Sequence, residues 1–219
     1  MLKSGVAATL LPRAISVCDA DEKSVTFLVQ NAGRGTAELC ALRAGDIIHA
    51  TGPLGNGFPV DEVRGKKIAL VGGGIGVAPM LLTAKHLNAD TDINSGKLPA
   101  DCYLGYRSSP FCYTEIECYA KHLFITTDDG CFGIHGKVTD VFNPSEYDVV
   151  FCCGPVPMMR AVTKICEDAS VPIYVSVENK MACGVGGCLV CACAMKNGEN
   201  LRACLNGPVF RGEEICLEA

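Results

Sequence analysis

The spacing of apolar positions changes character twice along this chain. Over residues 13–63 the apolar runs are short and separated by turn residues. Segments 13–18 and 24–30 read as strands, the second rich in β-branched and aromatic side chains. Residues 31–35 carry a glycine turn, 36–42 a short helix and 46–51 another strand. Gly52-Pro53-Leu54-Gly55-Asn56-Gly57 then breaks regular structure. The pattern predicts part of a small antiparallel barrel. From residue 66 onward, strand-length apolar runs at 67–71, 101–106, 123–127, 148–152 and 173–177 alternate with helical stretches near 76–88, 112–120 and 155–169. Such alternation implies a mostly parallel sheet covered on both faces. Residues 178–219, rich in cysteine and glycine, follow neither rhythm. The predicted organisation is an N-terminal partial barrel over 1–63, a parallel-sheet α/β domain over 64–177 and a C-terminal region over 178–219.

Composition narrows the chemistry. Lys and Arg number 19 against 24 Asp and Glu, a formal charge of −5, so no basic field is available for nucleic acid or an anionic membrane. Residues 68–84 are apolar but include Gly72, Gly73, Gly74, Gly76 and Pro79, whereas a membrane-spanning helix needs about 20 mostly apolar residues. The short apolar run between Lys3 and Arg13 does not make a secretory signal, and the expected compartment is the reducing cytosol of the cytoplasm. There, 15 cysteines mean apolar core thiols where scattered and metal ligands where clustered. Cys18, Cys40, Cys102, Cys112, Cys118, Cys166 and Cys216 are scattered and read as structural. None of the four histidines sits in a triad-like arrangement, which leaves hydrolase chemistry without support.

The clustered thiols are Cys183-Gly-Val-Gly-Gly-Cys188-Leu-Val-Cys191, followed after twelve residues by Cys204. Three thiolates on one tight loop can surround an iron–sulfur core that a fourth closes. The first three have the plant-type 2Fe–2S spacing, and the last gap is shorter than in plant ferredoxins. Gly184, Gly186 and Gly187 let backbone N–H groups approach cluster sulfurs. A structural zinc site is the alternative, since Cys188 and Cys191 form a CxxC pair, although zinc loops usually combine two such knuckles. Cys193 is either a substitute ligand or packing.

A second motif, Val71-Gly72-Gly73-Gly74-Ile75-Gly76-Val77-Ala78-Pro79, leaves a predicted strand and opens a predicted helix. Gly73, Gly74 and Gly76 can admit a pyrophosphate to a helix N-terminus, or can simply pack tightly. The full dinucleotide fingerprint fails, because the third glycine position counted from Gly72 holds Val77. Cys153, Gly154 and Pro155 end another parallel strand at the sheet edge where ligands of open α/β folds bind. Cys153 facing a nicotinamide and Cys153 as a core thiol are the two readings. In the first segment Arg13, Ala14, Ile15 and Ser16, with Gly35 and Thr36, offer a cation for a flavin pyrophosphate and a hydroxyl for a ring nitrogen.

Together these residues resemble the electron-transfer subunits of dihydroorotate dehydrogenase B, within the ferredoxin–NADP reductase-like superfamily. The most specific pieces are Met181-Ala-Cys-Gly-Val-Gly-Gly-Cys-Leu-Val-Cys191 and Cys204-Leu-Asn-Gly-Pro-Val-Phe210, and the resemblance runs through nearly the whole chain. It implies an N-terminal barrel holding FAD, an α/β domain binding NAD(H) and a C-terminal loop carrying one 2Fe–2S cluster. By that resemblance Arg13, Ala14, Ile15 and Ser16 correspond to an Arg-Pro-Ile-Ser flavin stretch. Leu28, Val29, Gln30, Gly35 and Thr36 match its other flavin contacts, and Cys183, Cys188, Cys191 and Cys204 its cluster ligands. The implied partner is an FMN-containing dihydroorotate dehydrogenase catalytic subunit, in a heterotetramer that serves pyrimidine (UMP) biosynthesis. Ala14 departs from the family's proline, and only twelve residues precede Arg13 where the family has several tens. Two other functions fit the residues. One is a subunit of an NAD(P)H:ferredoxin or sulfide-type reductase; the other is a non-catalytic, zinc-stabilised interaction module.

Overall fold

The computed structural model describes residues 1–5, 8–89 and 99–217. Its centre is a seven-stranded sheet built from β5 (Ile68–Gly73), β6 (Ala100–Tyr106), β7 (Leu123–Thr127), β8 (Ile134–His135), β9 (Val149–Cys153), β10 (Ile173–Ser176) and β13 (Val209–Arg211). The spatial order is β13-β10-β9-β5-β6-β7-β8. Every neighbouring pair is parallel except β10 with β13. Parallel strands need crossovers, which α2 (Ala78–Leu87) and α4 (Val156–Asp168) supply on opposite faces. Side-chain alternation along β5 sorts the core: Ile68 and Leu70 pack with Met80 and Leu81 of α2, while Ala69 and Val71 pack with Met159 and Val162 of α4. All residues of β5 and β9 are buried, as expected for central strands covered on both sides.

The predicted helices are present with shifted edges. Instead of beginning at Gly76, the second glycine motif forms a 3-10 turn, Gly74–Val77, and α2 follows with Pro79 in its first turn. The stretch near 112–120 contracts to α3 (Tyr113–Glu117), entered through Cys112 in a left-handed conformation at φ 60°. No helix among the described residues is long and apolar enough to cross a membrane.

The N-terminal segment pairs antiparallel, as two separate ribbons. β1 (Leu2–Ser4) joins β4 (Ile48–Ala50), and β2 (Val17–Ala20) joins β3 (Val25–Phe27), with α1 (Arg34–Cys40) between them in sequence. All three predicted strands are shortened. Arg13 makes one isolated bridge to Leu2, and regular pairing starts only at Val17. Asp21 closes the hairpin by accepting the Lys23 and Ser24 N–H groups, each at 2.8 Å. The register that follows, Val17 opposite Phe27, leaves residues 28–30 outside the ladder.

The cysteine-rich region is woven into this frame. β11 (Ala192–Ala194) and β12 (Asn200–Arg202) form a hairpin, and the chain then returns to the sheet as β13. Residues 52–58 tie three parts together. Asn56 N–H donates to the Gly207 carbonyl at 2.6 Å, and the Phe58 ring stacks on Phe151 with centroids 4.7 Å apart.

Candidate functional site

β5 and β9 are adjacent parallel strands, so their carboxyl ends bring the two sheet-edge motifs together. The contact is backbone against backbone. A Cβ on Gly76 would lie 2.5 Å from the Cys153 carbonyl oxygen and 2.6 Å from Gly154 Cα. One on Gly73 would lie 2.3 Å from Met158 Sδ, and one on Gly154 2.6 Å from Met158 Cε. Tight packing therefore accounts for Gly73, Gly76 and Gly154. Gly74 differs: its φ is 52° and nothing lies within 4 Å of its Cβ position, so the turn presents open backbone at the start of an uncapped helix. Beside it Cys153 is 2% exposed. Burial pushes its thiol up to about 12, with the Glu178 carboxylate acting in the same direction and the Ser176 hydroxyl opposing it. Cys153 is thus a neutral wall at neutral pH rather than a nucleophile, and Pro155 follows it as the residue capping α4.

In the N-terminal segment the structure gathers Arg13, Gly35 and Thr36 around the start of α1. The Arg13 side chain lies over Gly35, whose Cβ position is 2.1 Å from Nε, and Arg13 Nη1 donates to the Leu11 carbonyl at 2.7 Å. The Thr36 hydroxyl accepts the Ala32 N–H at 2.9 Å and donates to the Gly33 carbonyl at 3.0 Å. Its proton is directed to this turn. Ala14 and Ser16 are exposed, and Ile15 is half-buried. Leu28 and Val29 are half-buried and Gln30 is exposed. A cation over a glycine, beside main chain outside any ladder, suits a diphosphate.

The cysteine loop is shaped by left-handed backbone at Gly184 (φ 73°), Gly186 (φ 80°) and Leu189 (φ 61°). These turns aim N–H groups at sulfur: Val185 and Cys188 each donate to Cys183 Sγ at 3.4 Å. Those bonds pull the Cys183 thiol down to about 6. Cys191 and Cys204, both buried, bring their sulfurs to 3.2 Å. The thiols stand as two pairs; among the described residues no three His, Cys, Asp or Glu side chains are gathered as a metal ion requires. Soft thiolate donors with backbone N–H groups directed at sulfur nevertheless match the chemistry of an iron–sulfur site. The Cys193 thiol lies elsewhere, 3.4 Å from Asn179 Nδ2 and 3.7 Å from the Cys191 carbonyl, which favours packing for this residue.

Sequence reasoning missed two residues that hold the loop. Arg202 Nη1 donates to the Gly186 carbonyl at 2.9 Å, while its own carbonyl accepts N–H groups from Leu205 and Asn206, closing the turn that bears Cys204. Asn179 bridges to the Ala192 carbonyl at 2.9 Å. Only the position of Arg202 two residues before Cys204 could have signalled its role.

Residues 178–216 match the family model of the iron–sulfur cluster binding domain of dihydroorotate dehydrogenase B. The dihydroorotate dehydrogenase B (NAD(+)) electron transfer subunit of Clostridium acetobutylicum is 48% identical over 207 residues, covering 94% of this chain and 80% of that protein. Its Clostridium perfringens counterpart is 44% identical, with 94% and 82% covered. Among solved structures, an NADH-dependent reduced ferredoxin–NADP oxidoreductase studied for flavin-based electron bifurcation superposes with a TM-score of 0.80 at 28% identity. That match covers 99% of this chain and 78% of the other. An Amycolatopsis cytochrome P450 reductase gives a TM-score of 0.61 at 26% identity over 77% of this chain and 56% of its own. Identity at this level, over four fifths of the relatives' length, means that the chain belongs to the family of dihydroorotate dehydrogenase B electron transfer subunits.

Proposed function

We propose that this chain carries electrons between NAD(H) and an FMN-containing dihydroorotate dehydrogenase catalytic subunit, in pyrimidine (UMP) biosynthesis. The observation that carries the reading is the cysteine loop: thiolate-stabilising N–H groups on Cys183 and the close Cys191–Cys204 pair, at 2Fe–2S spacing. In this reading residues 1–63 hold FAD, 64–177 bind NAD(H), and 178–219 hold the cluster through Cys183, Cys188, Cys191 and Cys204. FAD held there would supply the exchange between two-electron hydride chemistry and single electrons, and a 2Fe–2S cluster on the four cysteines would supply one-electron transfer.

The chain's own contribution is placement and electrostatics. Arg13 sets a positive charge over Gly35 for the flavin diphosphate. Leu28, Val29 and Gln30, with Ala14, Ile15, Ser16 and Thr36, are the further flavin contacts of this reading. Gly73 and Gly76 keep the sheet edge flat, so that the Gly74 backbone receives the nucleotide diphosphate. Cys153, Gly154 and Pro155 offer a neutral, water-poor surface to the nicotinamide. The partner completes a heterotetramer. All 15 thiols are free, which suits work in the reducing cytoplasm.

Anaerobic visible absorption, with iron, sulfide and flavin assayed on one sample, tests the reading. Two irons, two sulfides and one FAD per chain are expected, together with NAD-linked dihydroorotate oxidation when the catalytic subunit is added. A colourless protein with stoichiometric zinc overturns it in favour of the interaction module. The extensive match to the ferredoxin–NADP oxidoreductase supports a second reading, a ferredoxin-linked reductase subunit. Loaded protein that reduces ferredoxin but never couples to dihydroorotate would select it.

A further inference from the structure

Two thiols that the sequence scatters meet across the fold. Cys18 in β2 and Cys112, just before α3, are 94 positions apart, yet their sulfurs lie 3.9 Å from each other. Cys18 is buried and Cys112 partly exposed. Together with Asp19, Leu28 and Glu115 they wall a cavity of about 360 Å³, large enough to admit a molecule the size of water or hydrogen peroxide. The charges around the pair are mixed. Hydrogen bonding from the Cys112 thiol favours a thiolate at Cys18, while burial, Asp19 and Glu115 act against it; Lys85 of α2, ion-paired with Asp19, adds a smaller favourable effect. Two sulfurs this close can share a hydrogen bond, so that when one ionises it is the nucleophile and the other is placed to complete a bond. The fully buried Cys102 and Cys152 lack this setting, and burial holds both thiols protonated.

We propose that Cys18 and Cys112 are an oxidisable dithiol whose disulfide clamps the N-terminal ribbon to the parallel-sheet layer, with hydrogen peroxide as the oxidant. One thiol of the pair gives up its proton, its thiolate attacks one peroxide oxygen, the O–O bond breaks, and the departing hydroxide takes up that proton and leaves as water. The second thiol then attacks the sulfenic sulfur, the S–S bond forms as the S–O bond breaks, and the hydroxyl leaves with the second thiol's proton as the second water. Two thiols lose two electrons, and one peroxide gains them. The sulfurs must close from 3.9 Å to about 2.05 Å, a movement available to the Cys112 side chain beside the cavity. β2 already rests on α2 through the Lys85–Asp19 pair, so the new bond adds a covalent tie where a noncovalent one exists. The assignment rests on these two residues and their surroundings, independently of the electron-transfer reading.

The test titrates the full-length protein anaerobically with hydrogen peroxide, caps free thiols, and maps peptides by mass spectrometry without reductant. The expected result is a Cys18–Cys112 linked peptide lighter by two hydrogens than its parts. It should rise with peroxide before other cysteines react and vanish with dithiothreitol. The thermal midpoint of the full chain should shift upward in parallel, because a cross-link across 94 positions restricts the unfolded chain. Cys112→Ser, at the partly exposed partner, should lose both the linked peptide and the shift. Cys18→Ala should do the same from the buried side. Sulfinic or sulfonic acid at these residues without linkage, linkage only after unfolding, or linkage with no thermal shift overturns the clamp.

Discussion

Two glycine-rich turns in this chain use the same residue for different physical reasons. At Gly73 and Gly76 the space a side chain would fill is taken by the protein's own atoms: Cys153 and Gly154 against Gly76, Met158 against Gly73. In the cysteine loop the requirement is conformational, because Gly184 and Gly186 hold left-handed φ values that direct N–H groups onto Cys183 sulfur. The first turn is packed into the core except at Gly74, and the second is a scaffold for a ligand set. A glycine motif alone therefore does not say whether it faces inward or outward. The neighbours of the missing Cβ decide.

The sharpest way to separate the two turns is to disable the ligand set. Cys188→Ser should abolish cluster absorbance and leave NADH-to-flavin reduction intact, since hydride transfer uses no iron; absorption spectra and stopped-flow flavin bleaching would read both. A normal cluster in that variant would mean another thiol substitutes. Next in size is Gly76→Ala, which forces a methyl to within 2.5 Å of the Cys153 carbonyl oxygen. It should lower stability by about 3 kcal/mol or more in chemical denaturation, and a loss below about 1 kcal/mol would break the packing argument. Arg202→Gln removes the grip on the Gly186 carbonyl. A loss of about 1–2 kcal/mol is expected, with broadened cluster signals in electron paramagnetic resonance that Arg202→Lys restores only in part. Gly187→Ala should cost least: nothing lies within 4 Å of its Cβ position, so the effect on stability should stay within about 0.5 kcal/mol.

What was legible in the sequence was local. Strand-length apolar runs alternating with helical ones foretold β5, β6, β7, β9 and β10 with the helices between, because a strand buried on both faces writes a continuous apolar run. The cysteine spacing foretold the loop for a similar reason, since its geometry depends on a few adjacent residues. Contacts between distant segments left no such trace. Nothing in residues 13–18 shows that pairing begins only at Val17, because that depends on the register imposed by the Asp21 turn. The two backbone bonds that the Thr36 hydroxyl makes within its own turn, to Ala32 and Gly33, are likewise set by the local fold and not by residue type. Cys18 and Cys112 read as unrelated core thiols, and only the packing of β2 beside α2 and α3 brings them together.

One strand has a consequence for how this architecture can be cut and rejoined. Val209–Arg211 lies in the cysteine-rich region by sequence but in the central sheet by hydrogen bonding, antiparallel to β10. A chimaera that ends the chain near residue 178 strips β10 of its outer neighbour and bares a row of unpaired N–H and C=O groups, a template for association between copies. Grafting residues 178–219 onto another host removes the partner that β13 needs. The thiol-bearing region is thus no detachable cassette: any natural or engineered exchange of it must carry a compatible sheet edge with it.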